Sequence, residues 1–363
     1  MEASGFTILI VLIVSFFISF LAVVSILKLS YAKKWFDPVN DRKIHDGNIP
    51  RLAGIGFAAA FFVVALVVHF LFLDTESNIR YLPCFLALFI ILFFGIFDDF
   101  RPLAPRYKLL VQIIAALIVV IPGYMFRHIA YLDFGLLPEP FGFAITMLWI
   151  VGITNAINLI DGIDGLAGGL SCFIAVFFGA IFFTYGNNPL IVLFCVALVG
   201  VILGFLIFNA PLPKAKIFMG DCGSQFLGFM LALLPLLVRH ESPAVLPVPY
   251  ASALLLIPIF DTIAAVWRRI RDRKPIDTPD KSHIHHKLMN LGLSVLGVNA
   301  VLCGLQIILG TIVFISIRLE GLLSLYVLGI AYIMVIIFFS TIHFMNRAVS
   351  KKGLLEGQIE SSS

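Results

Sequence analysis

Eleven apolar stretches, each near the length that crosses a bilayer, constrain this chain more than any other feature. They occupy about 6–28, 52–73, 79–97, 107–124, 141–158, 166–184, 189–208, 223–238, 249–267, 294–316 and 322–344. A spanning helix needs about 20 apolar residues to cross a hydrocarbon core of ~30 Å. Of 363 residues, 61% are hydrophobic and only 13% charged, with a mean hydropathy of +1.06. That balance excludes an ordinary soluble enzyme. The sequence predicts an all-α polytopic membrane protein with about eleven transmembrane helices. Residues 1–346 form the membrane-embedded domain. Residues 347–363, ending Glu-Ser-Ser-Ser, form a tail expected to be disordered.

Basic residues set the orientation. Twenty Lys and Arg fall in the loops of one face and the tail, against four (Arg80, Arg127, Arg239 and Arg318) on the other. Basic loops stay on the cytoplasmic side, so the N-terminus is expected outside and the C-terminus in the cytoplasm. The net charge of +4 then describes a basic cytoplasmic face apposed to a lipid bilayer. No nucleic-acid-binding motif is present, so no nucleic acid partner is expected. The five cysteines lack C-x-x-C spacing and read as packing thiols.

Against this apolar background the acids stand out. Asp98-Asp99, Asp161, Asp164 and Asp221 sit where apolar stretches end on the basic side. A carboxylate facing lipid would cost several kcal/mol, so acids in such a chain face a polar site. Adjacent carboxylates such as Asp98 and Asp99 repel unless cations offset them, and Arg101, Arg106 and Lys108 follow closely. Carboxylates beside cations can hold a divalent metal while the cations hold phosphate oxygens.

The most specific motif runs from Asn155 to Gly169. Asn155, Asn158, Asp161 and Asp164 recur at three-residue spacing, which on a helix makes a polar stripe across neighbouring turns. Gly162 and Gly165 follow the two acids and let the backbone approach a ligand. A third motif, Lys216 to Ser224, combines a lysine, the Phe218 ring and glycines around Asp221. Asp221 at a helix start also fits a simple N-cap. Gly220-Asp221 is shared with intramembrane aspartyl proteases, but their partner Tyr-Asp is absent. A fourth motif contains His283, His285 and His286. It lacks the Cys or H-E-x-x-H company of a zinc site, and it can donate hydrogen bonds to a diphosphate. The loop from Asn40 to Arg51, with Lys43, can meet either phosphate groups or anionic headgroups. Asn209 and Asp261 are single polar residues near inner segment ends.

In order and topology these motifs resemble the polyprenyl-phosphate N-acetylhexosamine-1-phosphate transferases, over nearly the whole chain. The pieces that carry the resemblance are Arg42-Lys43-Ile44-His45, Asp98-Asp99-Phe100, Asn155 to Gly165, Phe218 to Asp221 and His283-x-His285-His286. Ala53 departs from the family pattern, which has glycine there. The resemblance implies an enzyme of the bacterial inner (cytoplasmic) membrane, with its active site facing the cytoplasm. It would use Mg²⁺ or Mn²⁺ and move a sugar 1-phosphate from a UDP-sugar to undecaprenyl phosphate, releasing UMP. By motif, Asp221 would hold the metal with Asn158 and Asp161, and Asp98 and Asp99 would complete the catalytic acids, Asp98 engaging the lipid phosphate. Lys43 and Lys108 would bind phosphate; Asp164, Asn209 and Phe218 would line the uridine side; the His cluster would contact the diphosphate. The His-x-His-His form resembles the N-acetylglucosamine branch that initiates O-antigen or wall teichoic acid synthesis, so UDP-N-acetylglucosamine is the expected donor. UDP-N-acetylmuramoyl-pentapeptide or another UDP-N-acetylhexosamine is the alternative. Pairing into a homodimer is common in such families, though no interface is legible here. From a different class, a cation-coupled transporter would also use acids and His, but near the bilayer midplane rather than at one edge.

Overall fold

The computed structural model describes residues 4–36, 49–72, 81–128, 137–185, 188–238, 246–275, 280 and 282–360. The helices are α1 (Gly5–Lys33), α2 (Ala53–Phe72), α3 (Leu82–Phe100), α4 (Pro105–Val120), α5 (Glu139–Ile160), α6 (Leu166–Tyr185) and α7 (Pro189–Asn209). They continue as α8 (Gly220–Leu233), α9 (Val248–Leu254), α10 (Leu256–Arg271), α11 (Ile284–Asn290), α12 (Val295–Ile317) and α13 (Gly321–Glu360). No strand occurs among the described residues. Side-chain caps mark several starts: Ser4, Asn188 and Ser294 each accept a hydrogen bond from the backbone N–H three residues on.

Every apolar stretch is helical, yet the count of eleven spanning helices is not upheld. Among the described residues, eight helices (α1, α2, α3, α5, α6, α7, α12 and α13) are long and apolar enough to cross a bilayer. The pair α9–α10, bent by 88°, makes a ninth if taken as one broken span. At 1.5 Å per residue, the 16 residues of α4 and 14 of α8 reach only about 24 and 21 Å, short of the hydrocarbon thickness. Prolines set these limits, with Pro105 opening α4 and Pro235 falling in the 3-10 turn that follows α8.

The 88° break has a local cause. Pro258 has no N–H to give the Leu254 carbonyl four residues earlier, and Gln306 of α12 supplies the donor instead, at 2.9 Å. α13 continues to Glu360. Residues 347–360 continue that helix, and residues 361–363 lie outside the described residues.

Two helices form the centre. α7 packs against α1, α2 and α6, and 72% of its apolar stretch is buried, against 22% for α1 and α13. α8 packs against α2, α3 and α5, and every residue from Cys222 to Leu233 is buried. Glycines allow this depth. A Cβ on Gly95 would lie 2.5 Å from the Cys222 Cα, and one on Gly228 would lie 2.8 Å from the Thr154 Cα. α8 is held backbone against backbone between α3 and α5, so its first residue is fixed relative to the ends of both.

Candidate active site

α8 starts at Gly220, whose φ of +73° disfavours any side chain, and a Cβ there would meet the Asp99 carboxylate at 2.6 Å. The preceding segment is pinned by the backbone of residues 50–54. Phe218 N–H donates to Pro50 O at 2.8 Å, Ala53 N–H to Phe218 O at 3.1 Å, and Gly54 N–H to Met219 O at 2.9 Å. The Arg51 guanidinium donates to the Asp99 carbonyl. The Arg51 loop and the Phe218–Asp221 motif, distant in sequence, thus form one unit.

The two adjacent acids have different work. Asp99 Oδ1 accepts the Asp221 N–H at 2.9 Å and Oδ2 accepts the Cys222 N–H at 3.0 Å. Asp99 therefore caps α8, where a carboxylate also meets the favourable end of the helix dipole. Asp98 is rotated about 100° around α3. Its Oδ1 accepts the Leu103 N–H at 2.7 Å, and its Oδ2 pairs with Lys108 of α4. Lys108 Nζ also donates to Asp221 Oδ2 at 3.0 Å, so one ammonium bridges Asp98 and Asp221. Asn158 of α5 donates to Asp221 Oδ1 at 2.8 Å and to Ser224 Oγ at 2.7 Å. Asp98 is 2% exposed, whereas the side chains of Lys108 and Asp221 are 26% and 36% exposed. A ligand can therefore reach the lysine and Asp221.

Beneath this layer lies an amide rung. Gln112 Nε2 donates to Gln225 Oε1 at 3.2 Å, and Asn155 Nδ2 donates to Gln112 Oε1 at 2.6 Å. It ties α4, α5 and α8 together one turn below Lys108, Asn158 and Asp221. The motif reading missed Gln112 and Gln225; two glutamines inside apolar stretches were the signal.

Asp161 follows the last residue of α5. Burial, and then the negative charges of Asp221, Asp99 and Asp164, push its carboxyl up to about 8. Its carboxylate accepts no hydrogen bond among the described residues. The next residue, Gly162, lies directly against the His285 imidazole, which a Cβ would overlap. This contact joins the Asn155–Gly169 motif to the His cluster. His285 is 1% exposed, and burial followed by the neighbouring His286 lowers it to about 3, so the ring is neutral. His283 Nδ1 bonds Asp261 Oδ2 at 2.7 Å, and Asp261 Oδ1 accepts the Ile284 N–H at 2.8 Å. Asp261 thereby anchors both His283 and the start of α11. His283 and His285 are parallel at 5.8 Å, and His286 lies 4.3 Å from His285.

Two expected contact residues serve as fasteners. Asn209 accepts the Gly165 N–H and donates to the Ile217 carbonyl, both at 3.0 Å. Asp164 accepts the Ala215 N–H at 3.1 Å. Together they clamp the loop between α7 and α8 to the turn after α5. Phe218 sits half-buried on that loop. Lys43 lies outside the described residues. The structure thus brings Asp98, Asp99, Lys108, Asn158 and Asp221 into direct contact, with Asp161 within their electrostatic reach. No group of three His, Cys, Asp or Glu among the described residues could hold a metal alone.

A family model described as "Glycosyl transferase family 4" matches residues 81–239, the stretch that contributes this cluster. A Bacillus subtilis (strain 168) protein described as a probable undecaprenyl-phosphate N-acetylglucosaminyl 1-phosphate transferase is 39% identical over 263 residues, 71% of this chain and 70% of its own length. The undecaprenyl-phosphate alpha-N-acetylglucosaminyl 1-phosphate transferases of Yersinia pestis and Escherichia coli (strain K12) are 31% and 30% identical, each over 71% of this chain and 70% of the relative. Similarity of that extent, on residues that meet in one polar cluster, leaves the transporter reading without support. The chain belongs to the polyprenyl-phosphate N-acetylhexosamine-1-phosphate transferase family and is a phosphoglycosyl transferase.

Proposed function

We propose that the enzyme transfers N-acetylglucosamine 1-phosphate from UDP-N-acetylglucosamine to undecaprenyl phosphate, releasing UMP, at the cytoplasmic face of the bacterial inner membrane. The observation that carries this reading is the Lys108 ammonium held between Asp98 and Asp221, at a helix edge where a phosphate can reach it. The names of the relatives supply the acceptor, undecaprenyl phosphate, and the transferred group, N-acetylglucosamine 1-phosphate.

A divalent cation fits the residues present. Asp161 and Asp221 offer oxygen donors, and among the described residues Asp161 lacks a hydrogen bond while lying in the field of three other carboxylates. Hard oxygen ligands suit Mg²⁺ or Mn²⁺, and Mg²⁺ ordinarily takes one or two carboxylates, with waters and substrate phosphates completing its shell. When bound, such an ion neutralises charge on the diphosphate and on the leaving phosphate. Asp161 and Asp221 would hold it, and Asn158 would orient Asp221 through the Oδ1 bond.

The protein's own groups account for the rest. A phosphate monoester already carries about −1.5 to −2 charge at pH 7, so the acceptor needs positioning more than deprotonation. Lys108 binds an acceptor phosphate oxygen, and the buried Asp98 holds Lys108 in place. The acceptor oxygen attacks the β-phosphorus. A bond from that oxygen to phosphorus forms as the bond from β-phosphorus to the bridging oxygen breaks, and the electron pair leaves with UMP. Asp98 behind Lys108 favours this single displacement over a phosphoryl-enzyme. The His283–His286 turn, against Gly162, supplies imidazole donors to the diphosphate.

The test uses purified enzyme, undecaprenyl phosphate, Mg²⁺ and sugar-labelled UDP-N-acetylglucosamine, with UDP-N-acetylmuramoyl-pentapeptide as the competing donor. The expected result is EDTA-sensitive label in the lipid phase from the first donor alone. Label from the pentapeptide donor alone would reassign the substrate.

A further inference from the structure

On α11, His285 and Lys287 lie two residues apart, about 200° around the helix. His285 therefore turns to Gly162 and the reaction centre, and Lys287 turns away from it, toward α10 and α13. Lys287 is 6% exposed, yet among the described residues it makes no ion pair and no side-chain hydrogen bond. Burial, with Arg268 beside it, holds its amine below the usual lysine range. Asp261 and Asp280 also act on it, but both are hydrogen-bonded to other groups, and an ammonium on so buried a side chain calls for an anion.

The surroundings are cationic. α11 and α10 both pack against α13, and Phe260 of α10 meets Phe339 of α13 at 5.9 Å. One and two turns past that contact α13 carries His343 and Arg347, and two turns past it α10 carries Arg268. Lys287, Arg268, Arg347 and Arg271 all act electrostatically on His343. Among the described residues the acids nearby are engaged elsewhere: Asp280 pairs with Arg268, Asp272 with Arg271, and Asp261 with His283. The buried Arg269 leaves its Nε without a partner. Beside these cations the surface is apolar. Trp267 and Ile270 of α10 and Phe344 of α13 are 65%, 58% and 65% exposed. Phosphate chemistry next to exposed apolar side chains describes a phospholipid rather than a soluble anion.

We propose that the junction of α10, α11 and α13 binds the phosphate of an anionic phospholipid headgroup, at a site separate from the reaction centre. Lys287, Arg268, His343 and Arg347 take the phosphate, and Trp267, Ile270 and Phe344 flank its acyl chains. The site goes beyond the transferase reading and does not depend on which sugar is moved.

Native mass spectrometry of the full chain in mild detergent, titrated with phosphatidylglycerol or phosphatidylcholine, tests it. The expected result is one equivalent of phosphatidylglycerol bound well ahead of phosphatidylcholine. Each basic residue near a lipid surface contributes about fivefold, so Lys287→Met with Arg347→Gln should weaken that binding by tenfold or more. Lys287→Arg should retain it. Should the double variant fold poorly, Arg347→Gln alone, at an exposed position, should still weaken binding about fivefold. Equal affinity for the two lipids, or unchanged binding in Arg347→Gln, overturns the proposal. Displacement of the bound lipid by millimolar inorganic phosphate overturns the lipid assignment.

Discussion

Asp221 accepts two side-chain hydrogen bonds, from Lys108 and Asn158, and remains reachable from outside. Asp221→Asn should keep the fold while lowering kcat by about 10²–10³-fold, the range for removing one group that stabilises transition-state charge. Steady-state UMP release measures it, and near-wild-type turnover would remove Asp221 from the chemistry. A second outcome concerns pH. His285 is lowered to about 3 in the folded protein from an ordinary 6.5, so the folded state binds fewer protons than the unfolded state between these values. Its contribution to stability is full above about 6.5 and is lost as pH falls toward 3. A Tm-against-pH series should therefore decline more steeply for the wild type than for His285→Gln; parallel curves would contradict the buried neutral ring. The acids were legible at this scale because a carboxylate in so apolar a chain is costly unless it faces a polar site. The division of labour between Asp98 and Asp99 was not legible. Sequence adjacency makes them look equivalent, whereas the turn of α3 points one at Lys108 and the other at the start of α8. Asn209 and Asp164 likewise read as ligand contacts, because sequence does not say which backbone N–H will claim their oxygens.

The positions of those side chains rest on how closely α8 is wedged between α3 and α5. A Cβ at Gly95 would press on the Cys222 backbone, whereas one at Gly304 of α12 meets nothing within 4 Å. Gly95→Ala should lower Tm in detergent by the equivalent of about 1–3 kcal/mol and reduce activity with it. Gly304→Ala should be neutral or slightly stabilising, and equal effects would argue against the close contact. At the α9–α10 break, Gln306→Leu leaves the Leu254 carbonyl unsatisfied and should cost about 1–3 kcal/mol, read as a fall in Tm. Unchanged stability would show that the break does not need this donor. The helices within the eleven apolar stretches were legible from hydropathy, whereas α11, which lies in none of them, was not. The shortness of α8 and the 88° turn at Leu255 were not. An apolar run of spanning length averages over Pro235 and Pro258 and does not reveal that Gln306, some 50 residues away, makes the turn tolerable.

Across the whole molecule, α3, α4, α5 and α8 contribute to one polar cluster, His285 of α11 lies against Gly162 beside it, and twenty of the basic residues fall on the face that the sequence assigns to the cytoplasm. Family and reaction class were legible because five motifs occur in order, and relatives covering 71% of the chain agree. The assembly of those motifs was not, since it depends on glycine contacts and amide rungs between distant helices. The central claim is that this cluster transfers a sugar together with its phosphate. The most direct measurement follows two preparations of UDP-N-acetylglucosamine, one radiolabelled in the β-phosphate and one in the α-phosphate, through a single incubation with enzyme and undecaprenyl phosphate. The account predicts β-label in the lipid and α-label in aqueous UMP. Recovery of both labels in the aqueous phase while the sugar enters the lipid would contradict it.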